Sequence, residues 1–156
     1  MWRIYAVLLQ GGEHMSIGIR ISAIPQMAAN QIQSDVRRRC YEGAYMLENA
    51  AHDILAGPRS GRTYKRPDGG HYTASAPGEP PASRTGNLRR NWHIIDDGSN
   101  TVMAIESGVK YAQFLEDGTP GGKIAPRPYV ERIKNAALPD IQQIFGQAFH
   151  FSISRV

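Results

Sequence analysis

The chain has 156 residues, a length that suits one domain with room for an appendage. With 41% hydrophobic and 21% charged residues, it is neither disordered throughout nor fibrous. The formal net charge of +4 and pI of 9.4 make nucleic acid a class to test. The lone Cys40 excludes both an internal disulfide framework and a multi-cysteine zinc site.

The N-terminus carries a short apolar stretch, Ile4 to Leu9, followed by Gly11-Gly12-Glu13-His14. It lacks the long apolar core and small-residue cleavage site of a signal peptide. No apolar run approaches the roughly 20 residues of a membrane span. Residues 1–15 are expected to form an extension or arm, and residues 16–156 a single domain. From Ser16 to Ser22 the chain alternates, with Ile17, Ile19 and Ile21 on one face, which predicts a half-buried strand.

Gln26 to Ala56 predicts a long helix. Ile32, Val36, Cys40, Ala44, Leu47, Ala51 and Ile54 step by three or four along one face. Arg37, Arg38, Arg39, Glu42, Glu48 and Asp53 are expected mostly away from that stripe. Gly57-Pro58 ends the helix. Residues 58–87 are rich in Pro and Gly and predict a flexible basic loop. Within it, Arg62 to Arg66 and His71 to Ser75 can pair as a hairpin around Pro67-Asp68-Gly69-Gly70.

Thr85 is expected to cap a short helical turn, Thr85 to Arg89. Trp92 to Ile95 and Thr101 to Glu106 read as two strands around the turn Asp96 to Asn100. Val109 to Glu116 has Tyr111, Phe114 and Leu115 at helical spacing, with Phe114 and Leu115 expected in the core. The last helix is expected to start at Arg127-Pro128-Tyr129, with Pro128 in its first turn. Its apolar face would be Tyr129, Ile133, Ala136 or Ala137, Ile141, Ile144 and Phe145, with a kink or break at Pro139. The tail alternates Phe149, Phe151 and Ile153 against His150, Ser152 and Ser154, like a strand. The order predicts an α+β fold. The long N-terminal helix and the C-terminal helix pack on one face of a small antiparallel sheet, with a long Pro/Gly-rich loop.

Catalytic patterns fail one by one. Gly57 to Thr63 resembles a phosphate loop only loosely: it follows a helix, is one residue short and has Arg where Lys is required. The five His are dispersed, with no i,i+3 or i,i+4 pair for a metal. Cys40 sits on the apolar stripe and reads as a buried structural thiol. Asp96-Asp97 and Glu116-Asp117 read as turn formers rather than an acid/base or metal pair. We therefore expect no catalytic residues, no cofactor and no metal.

The basic charge is local. Residues 58–90 hold Arg59, Arg62, Lys65, Arg66, Arg84, Arg89 and Arg90 against Asp68 and Glu79, a charge of +5 that leaves −1 for the rest. Tyr64 and Tyr72 interleave with these cations, as on a single-strand-binding surface. The same pattern fits a solvated basic loop or an assembly arm that orders against an acidic neighbour.

Four motifs occur in order after the long helix: Ser75-Ala76-Pro77-Gly78-Glu79-Pro80-Pro81-Ala82, Thr85-Gly86-Asn87-Leu88-Arg89-Arg90, Tyr111-Ala112-Gln113-Phe114-Leu115-Glu116-Asp117-Gly118-Thr119 and Arg127-Pro128-Tyr129-Val130. Together, over roughly Ile17 to Phe145, they resemble the HK97-type gp10 family of tailed-bacteriophage tail components. The resemblance implies structural roles for Pro77, Gly78, Pro80, Pro81, Thr85, Gly86, Leu88, Tyr111, Phe114, Glu116, Gly118, Thr119, Arg127 and Pro128. It implies a non-enzymatic morphogenesis protein at the head–tail junction or tail terminus, needed for tail completion or head–tail joining. Its partners would be itself in a sixfold ring, other neck and tail proteins and, in passing contact, DNA, with no membrane. It would reside in the virion, and in the host bacterial cytoplasm during assembly. The alternative is a nucleic-acid-binding protein using residues 58–90. A metal-dependent hydrolase at the acidic pairs ranks last.

Overall fold

The computed structural model describes residues 26–149, apart from residues 100 and 102. The extension at 1–15, the strand expected over 16–22 and the tail after Phe149 lie outside the described residues.

Helix α1, Gln26–Ala56, takes the expected span. It buries Ala44, Ala50, Ala51 and Leu55, with Met46, Leu47 and Ile54 packed beside them. Small side chains dominate this face, so other elements approach the helix closely. At its end the Gly57 N–H donates to the Asp53 carbonyl at 3.1 Å, and Pro58 offers no donor to continue.

Strands β3, Trp92–Asp96, and β4, Met103–Ser107, form an antiparallel ribbon with Ile94 opposite Ile105. The ribbon is tied to α1 where Arg37 and Tyr41 donate to the Asp96 carboxylate at 2.8 and 2.9 Å. Asp96 and Asp97 also accept from the Gly98 and Ser99 N–H groups, the turn-forming role their sequence suggests. A second, separate ribbon is β1, Thr63–Lys65, with β2, His71–Thr73. The short helices are α2, Asn87–Arg90, and α3, Ala112–Asp117. The last helix, α4, is Val130–Gly146 and packs along α1, with Ile141 and Phe145 over Gly43. The fold is α+β.

The core gathers Ala50, Ala51, Leu55, Leu88, Trp92, Val109, Tyr129, Ile133 and Ala137. Trp92 and Tyr129 meet edge to face, with centroids 6.3 Å apart.

Several expectations are corrected. Phe114 is half exposed, at 50%. In the six-residue α3 only Ala112 and Leu115 reach the core, and Tyr129 from the next segment fills the space beside them. Helix α4 begins at Val130, so Pro128 stands in the extended lead-in rather than in the first turn. Pro139 lies inside α4 without ending it. The carbonyl it deprives of a partner belongs to the exposed Asn135, where water can satisfy it.

Arg39 is 2% exposed rather than solvated. Its guanidinium donates to the carbonyls of Gln147 and Ala148 at 2.6 and 2.8 Å, pairs with Asp35 at 3.2 Å and stacks 4.0 Å from the Phe149 ring. It satisfies carbonyls left orphaned just past the end of α4. Burial pushes the Cys40 thiol up, and its Sγ lies 3.6 Å from the Thr101 carbonyl.

Candidate interaction surface

The β1–β2 hairpin is built from turn chemistry. Arg66 and Gly70 close the turn through a 2.6 Å backbone bond, and the Asp68 carboxylate accepts from the Gly70 N–H at 3.0 Å. Tyr64 stands directly opposite Tyr72, so the register itself stacks their rings, 5.5 Å apart and 22° from parallel. Three guanidinium groups surround this pair. Arg62 lies 5.4 Å from the Tyr64 ring, and Arg66 and Arg84 each lie 5.8 Å from the Tyr72 ring. Lys65 is exposed beside them. The result is a stacked aromatic platform rimmed by four cations, with Tyr64 42% exposed.

A two-stranded hairpin alone is marginal in water. Here its base is closed by local bonds, and two arginines then tie it to the body. The Gly61 N–H donates to the Ala74 carbonyl at 3.0 Å. The approach is so close that a Cβ on Gly61 would sit 2.5 Å from that carbonyl oxygen. The Glu79 carboxylate then accepts from the Ser60 N–H, the Ser60 hydroxyl and the Ala76 N–H, at 3.1, 2.6 and 2.9 Å. These three donors hold its carboxyl down at about 2. Ser75, Pro80 and Pro81 are buried. Arg127 donates to the Ser75 carbonyl and hydroxyl, and Arg132 donates to the Gly78 carbonyl at 3.0 Å.

The nine residues expected in the basic arm therefore divide. Arg62, Tyr64, Lys65, Arg66, Tyr72 and Arg84 come together on the hairpin. Arg59 instead turns inward to the carbonyls of Ile54, Gly57 and Pro81, and burial pulls its pKa down. Arg90 folds back onto the Thr85 carbonyl at 2.8 Å, and Arg89 lines a shallow dent with Tyr111 and Leu115.

The remaining motif residues hold joints. The Thr85 hydroxyl accepts from the Asn87 N–H at 3.4 Å, while Gly86 is the residue that precedes α2; Leu88 is core. The Glu116 carboxylate accepts from the Tyr129 and Val130 N–H groups at 2.8 and 3.2 Å, so α3 caps α4. The Tyr129 hydroxyl donates back to the Ala112 carbonyl at 3.0 Å. Burial first, and the nearby Glu116 carboxylate second, push Tyr129 up to about 12. Gly118 has φ of 80°, and a Cβ there would meet the Ile124 carbonyl at 2.9 Å. Thr119 accepts from the Ile124 N–H at 2.9 Å. Pro77 and Gly78 occupy an exposed bend. Tyr111, Phe114, Ile124 and Val130 remain exposed around this joint, and of these Phe114 was expected in the core.

Sequence reasoning missed the roles of Glu79, Ser60 and Arg127 in tying the hairpin down. The Ala76-Pro77-Gly78-Glu79 turn was a local signal for Glu79; the reach of Arg127 across 52 positions left none. Among the described residues, no group of three or more His, Cys, Asp and Glu could hold a metal, and no helix is long and apolar enough to cross a membrane.

A family model described as "Bacteriophage HK97-gp10, putative tail-component" matches residues 20–118, well over half of the chain. The matched stretch takes in α1, the hairpin, the docked Pro/Gly segment, the β3–β4 ribbon and α3. It ends at Gly118, so the Arg127 to Val130 motif and α4 lie beyond it. Searches of the curated proteins and of the solved structures each returned no match.

Proposed function

The chain belongs to the HK97-gp10-like family of bacteriophage tail components, and from that premise we propose that it is a subunit of an oligomeric ring at the head–tail junction or tail terminus. Its role there is structural: completing the tail or joining it to the head, alongside other neck and tail proteins. Residues 16–156 act as one domain, residues 1–15 as an extension, and the ring is sixfold. The subunit assembles in the host cytoplasm and ends in the virion.

The observation that supports this reading is the hairpin. It contributes no residue to the core, yet Gly61 and Glu79 close its base and Arg127 and Arg132 tie that base to the body. An element held rigid by the body but not needed by its core suits contact with another chain. Its four cations would meet a neighbour whose surface carries the opposite sign. Native mass spectrometry at rising concentration, with electron microscopy of assembled particles, tests the proposal. A closed ring, or density for the chain at one end of the tail, is expected. A monomer at every concentration together with no density on the particle overturns it.

A second reading rests on the stacked Tyr64–Tyr72 pair within reach of three guanidinium groups, a platform on which bases stack. It makes the hairpin a contact for DNA. Fluorescence titration with single-stranded DNA then gives affinity that falls steeply with salt. Binding that is absent or indifferent to salt removes this reading.

A further inference from the structure

Residues 40–56 and 91–109 hold six carboxylates, Glu42, Glu48, Asp53, Asp96, Asp97 and Glu106, and no Lys or Arg. Arg38 and Arg37, just ahead of the first stretch, pair with Glu42 and Asp96. The two stretches meet in the fold. The Tyr41 hydroxyl donates to Asp96 at the end of β3, so this side of α1 flanks the ribbon. Tyr45 and Glu48 follow Tyr41 at i+4 and i+7, on the same stripe of the helix. On the ribbon, alternation turns Trp92, Ile94, Met103 and Ile105 inward and leaves His93, Ile95, Ala104 and Glu106 exposed. The exposed Asp97 follows at the end of β3. The face therefore combines the carboxylates of Glu48, Asp97 and Glu106 with two exposed apolar side chains, Tyr45 at 53% and Ile95 at 40%.

The hairpin is the counterpart. Its stacked pair, Tyr64 and Tyr72, carries Arg62 over the first ring and Arg66 and Arg84 over the second. Three guanidinium groups and two rings thus match three carboxylates and two apolar side chains in sign and in kind. Arginine suits both halves of such a contact, because its guanidinium pairs with a carboxylate through two parallel bonds and also stacks on an aromatic ring.

We propose that, within the ring proposed above and resting on that reading, the arginine–tyrosine side of the hairpin docks on the acidic face of α1 and the β3–β4 ribbon in a second copy of this chain. Two different patches meet, so the contact is heterologous: each copy offers its hairpin to the next and its acidic face to the one before. Such a contact repeats around a ring when its rotation closes. The other exposed apolar patch, around Phe114 and Val130, offers the hairpin no such match. Lys110 and Lys123 stand near Asp117 in the sequence, and Lys134 pairs with Glu131 at 3.2 Å.

Charge exchange in the full chain tests the contact. One variant carries Arg62→Glu, Arg66→Glu and Arg84→Glu. The other carries Glu48→Lys and Glu106→Lys, and keeps Asp97 because its carboxylate holds the turn. By native mass spectrometry at low salt, each alone should need about tenfold or more the parent's concentration to assemble. Mixed in equal amounts they should assemble again, into oligomers with both chains in equal number, because each reversed hairpin meets a reversed face. A parent that assembles while the mixture does not overturns the contact and leaves the ring standing. So does either variant assembling like the parent; if the hairpin variant has then lost single-stranded DNA, the hairpin belongs to DNA. Photo-cross-linking supplies an independent reading. In a Cys40→Ala background, Tyr64→Cys labelled with a benzophenone maleimide should capture residues 45–48 or 93–106 of a second chain. Capture elsewhere on a second chain overturns the contact alone. No capture between chains at any concentration also overturns it, and the ring then stands or falls on the density at the particle.

Discussion

Glu79 shows how one side chain can tie a surface element down. Its three donors are lost when the carboxylate is protonated, so its contribution has a definite pH window. The folded value is about 2 and the ordinary value 4.5, a depressed acid. The contribution is therefore complete above about pH 4.5 and fades as pH falls toward 2. Asp35 and Asp96 are also held low, the first chiefly by the Arg38 guanidinium and the second chiefly by the Gly98 N–H, so they add to the acid slope. Melting temperature against pH should fall less steeply between pH 5 and about 2 in Glu79→Gln than in the parent. Identical slopes would show that the carboxylate is not held. Tyr129 works at the other end. Its folded value of about 12 exceeds the ordinary 10, so the proton is bound more tightly in the folded chain. Stability is unaffected below pH 10 and is lost as pH rises toward 12. Glu116 acts through the hydrogen bonds it accepts. Glu116→Ala leaves the buried Tyr129 N–H without its carboxylate and should cost about 1–3 kcal/mol in urea unfolding. Glu116→Gln, which keeps an acceptor, should lose less.

At the scale of elements, legibility followed the range of the signal. The span of α1 was readable because thirty-one residues repeat a period and Gly57-Pro58 closes it. The hairpin was readable because its turn residues are contiguous. Local spacing failed where a partner elsewhere in the chain decided the outcome. Phe114 looked like core, but a helix of six residues has too few turns to say which face is covered, and Tyr129 arrived from fifteen positions on. Arg39 looked solvated because its carbonyl partners lie over a hundred residues away. Six of the nine arm residues gather on the hairpin because alternation places Tyr64 and Tyr72 on one face; the inward turn of Arg59 had no such sign. The hairpin's separateness gives a prediction. Gly61→Ala puts a methyl 2.5 Å from the Ala74 carbonyl oxygen, so the base should open while the core survives. Hydrogen exchange should speed up across residues 61–75 and stay unchanged at Ala51 and Ile133. Loss of protection in both places would mean the hairpin and core are one cooperative unit.

The whole molecule separates charge from stability. Four of the seven cations in residues 58–90, Arg62, Lys65, Arg66 and Arg84, gather at the hairpin, which adds no residue to the core, and the chain outside 58–90 is near neutral at −1. Arg62, Lys65 and Arg84 are exposed and Arg66 is half-buried, so solvent screens most of this charge, and cation–π contacts at open sites are worth only about 0.5–1 kcal/mol each. Reversing their sign should therefore be tolerated by the fold and felt by the partner. The triple variant Arg62→Glu, Arg66→Glu, Arg84→Glu should keep circular dichroism and melting temperature close to the parent's. If the hairpin joins subunits, the same variant should fail to form the ring, and added salt should weaken the parent ring in the same direction. If the hairpin meets DNA instead, the ring should persist while DNA affinity and its salt slope both collapse. A variant that assembles and binds DNA like the parent would remove the hairpin from both roles. The exposed patch of Tyr111, Phe114, Ile124 and Val130 would then be the next surface to test, since apolar contact does not depend on salt in this way.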